Sequence, residues 1–154
     1  MTSIFIVTAS KGEYSDHAEW NICAVHSEER AKAIMKVLDE ASLYDEKFRN
    51  ARYNHHEHWC LDNPEPKLLS GRTNRQKETM RLADMKKAKE DYTALRIKRN
   101  KDYETACKAF TEANYNQPAE AIALMKKFDI KPETQAGVSY SYEELKIEDG
   151  NGEE

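Results

Sequence analysis

Residues 55–60 read His55-His56-Glu57-His58-Trp59-Cys60, with Asp62 two positions on. Imidazole and thiolate are good zinc ligands, and His55, His58 and Cys60 are the candidate donors. Structural zinc sites usually draw on spaced pairs, and neither C-x₂-C nor H-x₃-H occurs here. The competing reading is a polar tip between two helices. A second cluster, Gly12-Glu13-Tyr14-Ser15-Asp16-His17, contains the three residue types of a hydrolytic triad. A triad needs a chain of aligned hydrogen bonds, whereas adjacent loop residues point in divergent directions. Ser15 and Asp16 fit better as turn caps that bond to backbone. If this loop holds a ligand, Tyr14, Ser15 and Asp16 are its candidate contacts.

No Walker loop, G-x-G-x-x-G or H-E-x-x-H is present, and Ser70-Gly71-Arg72-Thr73-Asn74 lacks the lysine and the spacing to cradle phosphate. The expectation is a protein without catalytic residues and without a cofactor.

Charge is the stronger signal. The net charge of −4 conceals a basic middle between two acidic ends. Residues 1–66 carry 7 basic and 12 acidic side chains, residues 67–108 carry 13 and 6, and residues 132–154 carry 1 and 7. On a helix, the basic run from residue 72 to 101 would make a cationic flank about 45 Å long. Arg72, Arg75, Lys77, Arg81, Lys86 and Lys89 are the residues that would meet a nucleic-acid backbone, with affinity falling steeply in salt. Glu78, Asp84, Glu90 and Asp91 are interleaved, however, and the acidic first helix offers an internal counter-charge. A solvated, internally paired face is therefore the plainer expectation. The acidic end is too sparse to mimic nucleic acid.

These residues must be positioned by a fold that 154 residues can build as one domain. A third of the chain is charged and the mean hydropathy is −0.92, which suggests elongated elements with large solvated faces. Three cysteines (Cys23, Cys60 and Cys107), an odd and widely spaced set, argue against a disulfide framework. The opening apolar run is of strand length, too short for a signal or membrane segment, so a cytoplasmic protein is expected.

Ile4-Phe5-Ile6-Val7 reads as a central strand covered on both faces. Trp20 to Val25 reads as its hairpin partner, with Trp20, Ile22 and Ala24 on one face and Cys23 and Val25 on the other. Ser27 then caps a helix of about 25 residues, with apolar positions recurring from Ala31 to Ala51 at steps of three and four. Residues 54–71, with Pro64 and Pro66, read as a loop. A second long helix is expected from Thr73 to Asn114, its apolar stripe interrupted at Arg99. A short helix runs from Pro118 to Phe128. Val138, Tyr140 and Tyr142 alternate as a last strand, but Leu145 and Ile147 fall on the opposite parity, so the strand bulges near Glu143 or changes its buried face.

Phe5-Ile6-Val7-Thr8, then Gly12 to His17, then Ile22-Cys23-Ala24-Val25-His26-Ser27-Glu28-Glu29-Arg30-Ala31, and finally the acidic Tyr142-Glu143-Glu144-Leu145, together resemble a family of small phage and bacterial proteins of unknown function. Its members read roughly YIVT-x-G-x-YSDY…AVFSTEEKA. The resemblance covers residues 4–35 and, more loosely, 120–148. It departs from the pattern at His17, where the family often has an aromatic residue. It implies a β-β-α…β framework and a phage-like origin, and it carries no catalytic residues.

The expected fold is α+β. Residues 1–35 and 116–148 form a small antiparallel sheet platform of about three strands with a short C-terminal helix. Residues 36–115 form an inserted antiparallel helical hairpin, and residues 149–154 a disordered tail. The expected function is that of a non-enzymatic interaction protein, phage-encoded, which modulates or inhibits a host macromolecule through the hairpin. Tyr92, Leu95, Arg96 and Arg99 are the expected contacts. Nucleic-acid binding through the basic helix is the alternative, zinc binding a second one, and self-association through the hairpin is left open.

Overall fold

The computed structural model describes residues 2–68 and 73–148. It is an α+β protein whose elements run β1 (Thr2–Lys11), a 3₁₀ turn (Tyr14–Asp16), β2 (Ala18–Val25), α1 (Glu28–Asp62), α2 (Asn74–Glu78), α3 (Leu82–Asn114), α4 (Ala119–Lys127) and β3 (Val138–Ile147). Two compact units result. One contains the chain up to Asn50 and from Asn116 onward; the other is Ala51–Tyr115.

The first unit is built on a three-stranded antiparallel sheet of order β2-β1-β3. The apolar run of β1 places it in the centre, as its composition predicts. The register of β1 with β2 shifts between Val7 and Thr8: Val7 pairs with Cys23 and Thr8 with Asn21, which leaves Ile22 as the extra residue. This bulge overturns the simple alternation expected for β2. Trp20 stands opposite Ala9, on the face of the core, while Ala24 stands opposite Ile6 on the other. The β1–β3 register is unbroken from Thr2–Ile147 to Lys11–Val138. There is accordingly no bulge between them in β3. Val138 and Tyr140 face the core, and Leu145 and Ile147 lie on the opposite face, about half exposed.

The core packs on one face only. Val7, Ala9, Val138 and Tyr140 meet Ala31, Ile34, Leu38 and Ala41 of α1 and Ala121 and Met125 of α4. Leu38, Met125 and Val7 are completely buried, each side chain contributing about 1.5–3 kcal/mol by removal from water. Ile4 and Ile6 on the second face are only half-buried, so β1 is not covered on both sides as its apolar run suggests. Ser27 caps α1 as expected, its Oγ accepting from the Arg30 N–H at 3.3 Å.

Polar anchors fasten the long connection before β3. Asp45, 2% exposed, accepts from the Gln135 N–H at 2.8 Å and from the Gln117 side-chain amide at 3.1 Å. Ser42 donates to the carbonyl oxygens of Gln135 and Val138 at 2.7 and 2.8 Å. The Tyr140 hydroxyl, pushed up to about 12 chiefly by burial, donates to Gln135 Oε1. These bonds place Leu38, Ala41, Ser42, Asp45 and Phe48 inside the first unit, which therefore takes α1 up to Asn50 instead of ending near residue 35.

In the second unit two expectations need correction. Residues 54–62 are helix, not loop: nothing in His55–Asp62 stops α1, and Pro64 and Pro66 forbid helix only afterwards. The second helix is not continuous from Thr73. A capping box starts α2, Thr73 accepting from the Gln76 N–H at 3.2 Å while Gln76 accepts from the Thr73 N–H at 2.8 Å. The Thr79 hydroxyl then bonds back to the Arg75 and Gln76 carbonyls, and extended backbone at Arg81 separates α2 from α3.

Candidate functional site

Within the second unit the last turns of α1 lie antiparallel to α3. His55 stacks on Phe110 with ring centroids 4.3 Å apart, and His56 Nδ1 is 3.1 Å from the Tyr103 hydroxyl. Trp59 meets Tyr103 edge to face, and the Arg99 guanidinium lies 5.3 Å over the Trp59 ring. Arg99 also donates through Nε to the Asn63 carbonyl at 2.9 Å and approaches Glu65 at 3.7 Å. As positions on α1 ascend from 55 to 63, their partners on α3 descend from 110 to 99. This is the helical hairpin that the two periodic stretches predict.

The hairpin changes the meaning of the histidine cluster. His55 and His56 are interface residues rather than a polar tip, and burial, with the nearby charges of Arg52 and His55, holds His56 below its ordinary value. His58 and Cys60 are exposed on the same helix; at about 100° per residue His58 shares the side of His55, whereas Cys60 is turned about 140° or more away from both. No group of three or more metal-ligating side chains is gathered anywhere among the described residues. Among the described residues His55, His58 and Cys60 are not brought together at one site.

The expected contact residues fall on one face. Tyr92, Leu95, Arg96 and Arg99 are spaced by three and four, and Tyr103, Ala106 and Phe110 continue the same face along α3. The face covers α1 as far as Arg99, where Asn63 ends the partner helix. Beyond that point its residues lose their helical neighbour. Leu95 is 54% exposed, Tyr92 is half-buried, and Arg96 is 5.7 Å over the Tyr92 ring. Arg99 is used internally: its side chain is only 16% exposed. Of the thirty-three residues in α3 none is buried.

Most of the basic residues are exposed on α2 and α3, as a solvated face requires. Lys86 and Lys89 on α3, Arg75 and Lys77 on α2 and Arg81 before α3 have no ion-pair partner among the described residues. Arg72 lies outside the described residues. The cations are interleaved with carboxylates around the helix rather than gathered into one stripe.

The loop of Tyr14, Ser15 and Asp16 is a one-turn 3₁₀ helix closed by the backbone, Asp16 N–H to Glu13 and His17 N–H to Tyr14, both 3.2 Å. Neither Ser15 nor Asp16 caps it. The side-chain bond is made instead by His17, whose Nδ1 is 3.3 Å from the Gly12 carbonyl. Gly12 is required, since a Cβ there would sit 2.3 Å from the Asp16 carbonyl oxygen. Tyr14 is 95% exposed.

No helix among the described residues is long and apolar enough to cross a membrane. Comparison with protein-family models, with curated proteins and with solved structures finds no match to this chain. What defines the protein is thus its fold and surfaces: an α+β chain with a three-stranded antiparallel sheet and a helical unit whose longer helix outruns its partner.

Proposed function

We propose that this is a non-enzymatic interaction protein that binds a partner protein through the α3 face beginning at Tyr92, Leu95 and Arg96. One observation carries the reading. The α3 face that packs on α1 continues past the end of α1 at Asn63, with a leucine more than half exposed and an arginine stacked on a tyrosine. Tyrosine and arginine beside an apolar anchor make up the composition of interface hot spots. The exposed lysines around it, without an ion-pair partner among the described residues, favour a partner with an acidic rim. The resemblance of residues 4–35 to phage and bacterial proteins supports a phage-encoded modulator acting on a host macromolecule.

The test is affinity capture from lysate of the natural host, comparing the chain with a Leu95→Glu/Arg96→Glu variant. A retained protein that is lost with the variant supports the reading, since such anchors are worth about 2 kcal/mol or more. Equal retention by both would remove this face from consideration.

A second reading, nucleic-acid binding, is favoured by the absence of ion-pair partners for Arg75, Lys77, Arg81, Lys86 and Lys89 among the described residues. It requires binding that weakens steeply between low and moderate salt. A gel-shift titration that shows no complex at low salt eliminates it.

A further inference from the structure

On the first unit, between β2, the start of α1 and the end of α4, lies an open cavity of about 480 Å³. Its walls are mostly apolar, from Cys23, Val25, Ile34 and Phe128, and two cations enter it, Arg30 from α1 and Lys127 from α4. A second hollow of about 350 Å³ between α1 and α4 shares Arg30, Ile34 and Lys127 and is walled further along by Val37 and Leu124. Arg30, Ile34 and Lys127 line both hollows, which therefore adjoin as one groove.

Among the described residues neither Arg30 nor Lys127 has a carboxylate within ion-pair distance; Lys127 lies 5.7 Å over the Phe128 ring, and Arg30 uses its backbone N–H on Ser27. Of the two first-turn carboxylates, Glu28 is committed to Lys32 at 2.8 Å and to Tyr142 at 2.5 Å, and Glu29 makes no ion pair with Arg30 among the described residues. Among the described residues the one carboxylate lining either hollow is Glu120, seven residues before Lys127 on α4 and so about 10 Å away along the helix. Both cations are felt at the Cys23 sulfur: burial raises the thiol, and Lys127 and then Arg30 pull it back down.

We propose that this groove is a binding site for a small amphipathic carboxylate, its anionic group held by Arg30 and Lys127 and its apolar body laid along Val25, Ile34 and Phe128. The cavity volume lies within the range of small-ligand sites, which are mostly apolar with a few polar groups that fix orientation. Two cations lining the same apolar-walled groove match a charged head on an apolar body. A bare phosphate would leave the wall wet, and an uncharged chain would forgo the charge-assisted bonds to both cations.

The probe is decanoate, added to the full chain. Binding is followed by calorimetry and by the alkylation rate of Cys23, with Cys60 and Cys107 as internal references. The expected result is saturable protection of Cys23 alone. In an Arg30→Gln/Lys127→Gln variant the affinity falls about tenfold or more, the scale of lost charge-assisted bonds. Both side chains are exposed, so the variant keeps its fold, which an unchanged thermal midpoint verifies. A Lys36→Gln/Lys131→Gln variant, with the same change of net charge, binds as the unaltered chain does. Decanol, with the same body and no charge, binds about tenfold weaker, and inorganic phosphate gives no protection. The proposal is overturned by equal binding of decanol, by equal loss in the two double variants, by phosphate competing as well as decanoate, or by no binding at about 1 mM, the weak end of useful affinity.

Discussion

The Nε of Arg99 donates to the carbonyl oxygen of Asn63 at 2.9 Å, closing the end of α1 with a side chain from α3. A carbonyl at a helix C-terminus carries partial negative charge, so a guanidinium is well suited to it. The same side chain covers the Trp59 ring. An arginine that interrupts an apolar stripe is here the point at which two helices are joined.

Replacing Arg99 should loosen this junction. Arg99→Ala is expected to cost about 1–2 kcal/mol, from one charge-assisted bond and the stacking on Trp59. Arg99→Lys should recover little, because a lysine cannot offer a planar fork to a carbonyl and a ring together. Hydrogen exchange at residues 56–68 would report it. Unchanged protection there would contradict the assignment.

Asp45 should matter more to the first unit. It is buried and receives the Gln135 N–H, the Gln135 carbonyl being already taken by Ser42. Asp45→Ala leaves a buried donor without an acceptor, at a cost of about 2–3 kcal/mol in chemical denaturation. A loss under about 0.5 kcal/mol would mean that the connection before β3 is held by something else.

Acid should weaken the second unit first. Burial, then Arg52 and His55, lowers His56 from its ordinary 6.5 in the folded chain. Protonation therefore favours the unfolded form: the hairpin keeps its full stability above about pH 6.5 and loses it as the pH falls from there through the lowered value. Thermal unfolding between pH 8 and pH 5 should show this fall, about these bounds. His56→Gln should flatten it; an unaltered slope in that variant assigns the effect elsewhere.

Exposed and buried leucines should separate cleanly. Leu38→Ala, at a fully buried site, is expected to cost about 2–5 kcal/mol. Leu95→Ser, at a site 54% exposed, should stay within about 0.5 kcal/mol. If Leu95→Ser destabilises as much as Leu38→Ala, the α3 face is part of a core and not free for a partner.

The residues alone determine the α+β class, the central place of β1, the Ser27 cap and the existence of the two long helices. Each follows from local rules: apolar periodicity, propensity and capping act over a few positions and can be read directly. The end of α1 could not be read. His55-His56-Glu57-His58 is polar by composition and reads as a tip, although it holds no helix breaker; its packing partners Phe110 and Tyr103 lie about fifty positions away. The Ile22 bulge has the same character, since it is a mismatch of register between two strands and no property of either. The groove at Arg30 and Lys127 is further still from the sequence, for those two cations are ninety-seven positions apart. Their meeting follows from α1 and α4 packing on one face of the sheet, because burial of Ile34, Leu38 and Met125 brings the polar rims of both helices together.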